Sequence, residues 1–249
     1  MKPLHPLLLV LLAACGAQQS DSTPESAPST QQNAAQDGQS AEAHVHGEAG
    51  QTPLDGAHHH GFDDPEAWAA RWEGPERDAW QNPVQVIEWM MLEPGQTAVD
   101  IGAGTGYFLP YLSEAVGETG HVYCADIEPA MVDHLTTRID VDGVTNASAH
   151  LAALDDPRLE PGAIDRILLV NTWHHVEGRD VYAGVLLEAL APGGTITIVE
   201  YNDTVQPGPP AEMRMSPEEV MSEFNEAGYQ SELLGHLDRQ YVVRVIPNR

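Results

Sequence analysis

From residue 95 onward the chain alternates two patterns. Short, nearly continuous apolar runs cover Ala98 to Ile101, His121 to Ala125, Ala147 to Leu151, Ile164 to Val170 and Thr195 to Glu200. Helical candidates lie between them, near Leu109 to Val116, Ala130 to Ile139 and Tyr182 to Leu190. A strand buried on both faces has no polar side to show, so such runs alternating with helices indicate a parallel sheet covered on both faces. The end of the chain departs from this. Ser216-Pro217-Glu218-Glu219 has the form of a capping box with Pro at the first helical position, and opens a helix to about Ala227 that Gly228 ends. Two strands follow with no helix between them, around Tyr229 to Leu234 and Gln240 to Ile246. The break at Leu237 to Arg239 suits an antiparallel hairpin and is too short for a crossover. Together these elements predict an α/β fold, a Rossmann-like doubly wound sheet of seven strands with a C-terminal antiparallel hairpin.

Residues 62–94 predict a helical extension ahead of the sheet. Asp64-Pro65-Glu66 reads as a helix start, with an N-cap followed by Pro. Trp68 and Trp72 are four apart and share a face. Asn82-Pro83 repeats the start signal, and Val84, Ile87 and Met91 fall at spacings of three and four, which predicts an inner face.

The first 61 residues follow neither pattern. Leu7 to Ala14 is an apolar run too short to cross a bilayer. Lys2 precedes it and Ala13-Ala14 sits before Cys15, the layout of a secretory signal. Leu12-Ala13-Ala14-Cys15 resembles the lipobox of bacterial lipoproteins. That resemblance implies cleavage before Cys15, lipidation of Cys15 and a location in the cell envelope; an ordinary cleavable signal or a cytosolic N-terminus stays open. The stretch from Gly16 to Gly61 is rich in Gln, Ser, Ala, Pro, Glu and Gly, and predicts a disordered tether. His44, His46 and His58-His59-His60 lie in it. They could capture a metal ion, but the favoured reading is a solvated linker with compositional bias, since no Cys or regular ligand spacing accompanies them, and no metal site is assigned. The expected organisation is a lipoprotein signal over 1–14, a His-containing linker over 15–61 and one domain over 62–249.

Charge and cysteine content narrow the partners. The chain carries 11 basic and 38 acidic residues, a formal charge of −27. A field this acidic disfavours nucleic acid and anionic headgroups, leaving the lipid anchor as the expected route to a membrane. Of two cysteines, a lipidated Cys15 leaves Cys124 without a partner in the monomer.

The densest motif is Val99-Asp100-Ile101-Gly102-Ala103-Gly104-Thr105-Gly106-Tyr107, joining the first sheet strand to the first following helix. Glycines there allow a tight turn and close approach of a ligand at the open end of a strand. The spacing is G-x-G-x-G, not the G-x-G-x-x-G of dinucleotide sites. Asp100 would repel a pyrophosphate and suits a cationic amino acid group. Asp126, twenty residues past Gly106, ends the second strand, where an acid can bond both ribose hydroxyls. A nucleoside with positive charge and no phosphate fits both acids, and S-adenosylmethionine is such a ligand.

With "YCADIEPAM", "LAALDDP", "LLVNTWHHV" and "LAPGGTITIVEY" placed after or along the successive strands, the chain from about Asn82 to Arg249 resembles the class I S-adenosylmethionine-dependent methyltransferases. The resemblance implies S-adenosylmethionine as cofactor. It implies that Asp100, Gly102, Ala103 and Gly104 hold the methionine part and Asp126 the ribose. It further implies Ile127 stacked on the adenine, Asp155 or Asp156 at the adenine amino group, and Asn171 at the methyl pocket. The bland reading of the same residues is that they cap strands and turn loops. The "VEY" ending and the "SPEEV…EAGY" helix are similar to quinone-type and other small-molecule methyltransferases, which implies a small-molecule acceptor.

His174 and His175, after the fourth strand, are the candidate catalytic bases, with Trp173 as a pocket wall. Either His could instead bond backbone at the next helix start. Glu76 to Gln81 reads as a lid or, slightly preferred, as a helix end packed on the sheet. Two functions follow. One is a methyltransferase acting on a small acceptor. The other is an exported, non-enzymatic lipoprotein that keeps the fold to bind a ligand, metal or partner, because S-adenosylmethionine is made in the cytosol.

Overall fold

The computed structural model describes residues 64–202 and 209–248. The signal, Cys15, the linker and its histidines lie outside the described residues. Three helices come first: α1 (Pro65–Trp72), α2 (Arg77–Gln81) and α3 (Pro83–Met90). The alternating part is β1 (Thr97–Ile101), α4 (Leu109–Val116), β2 (His121–Asp126), α5 (Pro129–Asp142), β3 (Ala147–Leu151), β4 (Ile164–Val170), α6 (Arg179–Ala189) and β5 (Leu190–Tyr201). Helix α7 (Pro217–Glu226) and the strands β6 (Tyr229–His236) and β7 (Gln240–Pro247) complete it. The strands form one sheet in the order β3-β2-β1-β4-β5-β7-β6. β1 to β5 pair in parallel, and β7 runs antiparallel to both β5 and β6. This is the doubly wound, seven-stranded sheet with a terminal hairpin.

Alternate residues of the central strands feed two cores. Val99, Ile167, Leu169, Ile196 and Ile198 face one layer, where Leu186 of α6 and Phe224 of α7 pack. Ala98, Val122, Cys124, Leu168 and Val199 face the other, against Val86, Leu112 and Leu135 of α3, α4 and α5. That two-sided burial is why these strands read as unbroken apolar runs. β3 lies at the sheet edge, and none of its residues is fully buried.

Several boundaries differ from the pattern. The inner face of α3 is Pro83, Val86 and Met90, with Ile87 half-buried against the same core and Val84 and Met91 off it. Val84 and Met91 are exposed. Met91 is the C-cap, and its left-handed backbone (φ 51°) takes it off the helical face. β5 starts at Leu190 rather than Thr195, because Leu190 already pairs with Ile164 before a register shift carries the pairing to Arg166 and Thr195. Helix α6 starts three residues earlier than expected, behind left-handed Gly178. The capping box forms as read: the Glu219 N–H donates to Ser216 Oγ, and the Ser216 N–H donates to Glu219 Oε2.

Candidate functional site

The strand order reverses between β1 and β4, the place where open α/β sheets bind ligands beyond the carboxyl ends of their strands. A cavity of about 1280 Å³ opens there. Small-molecule sites usually span roughly 300–1000 Å³, so this one has room for a cofactor and a second molecule.

The loop after β1 forms the first wall. Asp100 lines the cavity yet is only 3% exposed. Burial pushes its carboxyl up to about 7; nearby Arg77 opposes the shift and the Asp126 carboxylate adds to it. Among the described residues no group donates a hydrogen bond to the Asp100 side chain. A buried acid in that state is a receptor for a cation supplied from outside. Gly102 follows at φ +73°, and a Cβ there would lie 2.4 Å from Thr172 Oγ1, so the loop depends on glycine. The N–H groups of Gly102 and Ala103 both donate to the Ala125 carbonyl, which pins the loop to the end of β2.

Asp126 ends β2 and is held from both sides. Gly104 N–H donates to its Oδ2 at 2.8 Å and Glu128 N–H to its Oδ1 at 3.0 Å. Burial raises its carboxyl pKa while those N–H groups pull it back. Each oxygen keeps a lone pair for a ligand hydroxyl. Ile127 is 40% exposed on the cavity wall, a flat apolar face open to a ring. Asp155, expected at the adenine end, is exposed and not on the wall, as is Asp156, whose Oδ1 accepts the Arg158 N–H. Leu154 stands on the wall instead, because a turn closed by Ala153 N–H on the Asp156 carbonyl carries both acids outward.

The opening helices cover this wall. Trp72 reaches over the glycine loop, within 3.2 Å of where a Gly104 Cβ would be. Glu73 Oε1 accepts from Thr105 Oγ1 and from Arg138 Nη1, both at 2.6 Å, tying the end of α1 to the loop and to α5. The 76–81 segment packs on the sheet, as the preferred reading had it, and also lines the cavity. Gln81 is fully buried and donates to Gln240 Oε1, while Arg77 and Trp80 line the cavity. Arg77 lies over the Tyr107 ring at 3.7 Å, and Tyr107 Oη donates to Asp78 Oδ1 at 2.5 Å.

β4 and β5 supply the third wall. Asn171 adopts a left-handed backbone (φ 54°) at the end of β4, and its Oδ1 accepts from Gln240 Nε2 at 2.7 Å. His174 and His175 both line the cavity, with ring centres 4.1 Å apart. His174 Nδ1 lies 2.8 Å from Glu200 Oε2, and both side chains are 3% exposed. The His174 backbone N–H donates to the other oxygen of Glu200. With Nδ1–H donating to the carboxylate, Nε2 is the nitrogen left to take a proton. Trp173 is not a wall. The tight turn over Trp173–His175 swings it into the core, where it stacks on Phe224 at 4.5 Å and its Nε1–H donates to Glu223 Oε2.

The structure thus brings together Asp100, Gly102, Ala103, Gly104, Asp126, Ile127, Asn171, His174 and His175 on one cavity, and leaves Asp155 outside it. It adds Arg77, Trp72, Glu200 and Gln240. Glu200 had a visible signal, the one charged residue of a mostly buried strand, where an unpaired charge is rarely tolerated. Gln240 had none, since it meets Asn171 and Gln81 only through the sheet order.

Fold and site together define a class I methyltransferase architecture. Residues 98–194 match the family described as "Methyltransferase domain". A SAM-dependent methyltransferase from Aquifex aeolicus superimposes with a TM-score of 0.69 at 25% identity, over 74% of this chain and 98% of that one. The ubiquinone/menaquinone biosynthesis C-methyltransferase of Hydrogenovibrio crunogenus is 28% identical over 125 residues, 49% of this chain and 48% of that protein. The protein-L-isoaspartate O-methyltransferase of Fervidobacterium nodosum is 27% identical over 121 residues, 49% of this chain and 58% of that protein. The chain spans about half the length of the curated relatives it matches. The fold is therefore that of the class I methyltransferases, and residues 98–194 are similar to a methyltransferase domain. The matched stretch ends at Gly194, ahead of Glu200, Tyr201 and Gln240.

Proposed function

We propose that this chain is an S-adenosylmethionine-dependent methyltransferase for a small-molecule acceptor, exported and lipid-anchored through Cys15. The observation that carries the enzymatic reading is Asp100, a buried carboxyl on the cavity wall with no hydrogen-bond donor among the described residues, beside a loop that depends on glycine. S-adenosylmethionine, when bound, supplies an electrophilic methyl group on a sulfonium centre. Asp100 would hold its ammonium, the Asp126 carboxylate its ribose hydroxyls, and Ile127 one face of its adenine. Because the donor is already activated, the protein's part is to orient the acceptor, exclude water and remove a proton. Trp72 and α2 close the cavity side. Glu200 fixes the tautomer of His174, and His174 Nε2 takes the acceptor's proton.

A small acceptor is supported by the enclosed cavity and by the short span between Tyr201 and Met213, which leaves little chain for a recognition insert. Export rests on the sequence around Cys15 alone. Calorimetry of the chain with S-adenosylmethionine tests the cofactor site: micromolar binding that Asp100→Ala weakens at least tenfold is expected, and no binding at millimolar cofactor would overturn the enzymatic reading. That outcome would leave the non-enzymatic alternative. Palmitate labelling of the parent chain and of Cys15→Ala tests the anchor, and an unlabelled parent refutes it.

A further inference from the structure

Part of the cavity is not used by the cofactor residues. Trp80 of α2 and Tyr201 at the end of β5 stack there, with ring centres 6.1 Å apart and planes at 27°. Pro209, Pro210 and Met213 extend the apolar surface. Two guanidiniums approach the same indole. Arg239, in the turn between β6 and β7, lies 5.1 Å from the Trp80 ring centre, and Arg77 lies 5.9 Å from it.

Among the described residues Arg71, Arg158 and Arg166, like these two, form no ion pair with a carboxylate. Arg138, Arg179 and Arg244 each hold a glutamate, Glu73, Glu223 and Glu232 respectively. Among the described residues Arg77 and Arg239 hold no carboxylate. Arg77 donates to the Trp72 carbonyl and to Gln81 Oε1, both neutral, and among the described residues the Arg239 guanidinium has no hydrogen-bond partner. The Glu73 and Asp100 carboxylates act on Arg77 from a distance, but among the described residues neither is hydrogen-bonded to it. Two half-buried guanidiniums beside the same indole on one cavity wall, neither ion-paired to a described carboxylate, favour an anion there. The Tyr201 hydroxyl feels the same field: burial raises its pKa, and both guanidiniums oppose that rise.

We propose that the corner formed by Trp80, Tyr201, Arg77 and Arg239 binds the anionic head of the methyl acceptor, a carboxylate or phosphate on an apolar or aromatic body. This rests on the methyltransferase reading and narrows its substrate class. An arginine fork gives such a head two parallel hydrogen bonds, and the Trp80 and Tyr201 rings cover the carbon skeleton next to it. Arg239 is the discriminating residue, because Arg77 also lies within electrostatic reach of Asp100 and is shared with the cofactor end.

The test uses the full chain saturated with S-adenosylhomocysteine and titrated with 2-naphthoate, 2-naphthyl phosphate and the neutral 2-naphthamide. At least one anion is expected to bind tenfold or more tighter than the amide, the range for a charge-assisted hydrogen bond. Arg239→Gln should bring that anion to the level of the amide, Arg239→Lys should retain most of the preference, and S-adenosylhomocysteine affinity should not change in either. Equal affinity for anion and amide, or no binding of either anion at millimolar concentration, overturns the proposal. So does an Arg239→Gln variant that loses S-adenosylhomocysteine affinity, which would assign the corner to the cofactor. A parent chain that does not bind S-adenosylhomocysteine at all would instead sink the underlying methyltransferase reading.

Discussion

The affinity for S-adenosylmethionine should fall as pH drops below neutrality, and Asp100 is the cause. Its carboxyl is raised from 3.8 to about 7 because burial penalises the charged form. Only the carboxylate can accept the ligand ammonium, so below about 7 each binding event must first expel a proton. At one pH unit below that value about a tenth of the sites are ionised, and affinity drops about tenfold, or ~1.4 kcal/mol, for each further unit. Above about pH 8 an ordinary α-amino group loses its own charge, so the profile turns over. Calorimetry at pH 7 in buffers of different ionisation enthalpy should count about half a proton released, and nearly one at pH 6. The stability of the unliganded chain carries the opposite sign. A carboxyl whose folded pKa lies above its unfolded value contributes stability that is fully present below about pH 4. That contribution is lost as pH rises through about 7, on the order of 4 kcal/mol in total. Asp100→Asn should remove both trends together. Affinity that stays flat from pH 6 to 7.5, with no proton released, refutes the assignment of Asp100 as the ammonium site.

Three further outcomes follow from the same geometry. His174→Gln should lower kcat by about 100-fold or more with cofactor affinity unchanged, and Glu200→Gln should also lower kcat, since His174 would lose the carboxylate that fixes its tautomer; single-turnover kinetics would show an unchanged chemical step if neither matters. Gly102→Ala should abolish cofactor binding and destabilise the chain by about 1–3 kcal/mol, because its Cβ meets Thr172 at 2.4 Å in a left-handed backbone; cofactor titration and thermal melting read both effects. Phe224→Ala should cost about 3–5 kcal/mol in urea unfolding, since the ring is fully buried between Trp173 and Tyr229.

What could be read from the chain was whatever depends on neighbours in sequence. The buried strands announced themselves as apolar runs because both faces are covered. The glycine loop and Asp126 were legible because a tight turn and the following strand end lie a fixed distance apart along the chain. Reading failed where the backbone turns within a few residues. Trp173 sits beside His174 in sequence, but the short helical turn sends one into the core and the other to the cavity. Asp155 sits beside Leu154, and a single backbone hydrogen bond decides which of them reaches the wall. Val84 and Met91 share a period with Ile87, yet the helix ends at Met90 and the face shifts.

The remaining residues depend on the sheet order itself. Because β7 lies next to β5, Gln240 at its start meets Asn171 at the end of β4 and Gln81 in α2, three positions spread over 160 residues of chain. The chain Arg77–Gln81–Gln240–Asn171 therefore links the covering helices to the methyl end of the cavity through neutral amides, fully buried at Gln81 and Gln240. Each amide can donate and accept at once, so the network holds without any added charge. That matters for the acceptor corner. A carboxylate at Gln81 or Gln240 would neutralise Arg77 and cancel the field on which an anionic acceptor depends. Glutamine at both positions fastens α2 in place and leaves its cation available.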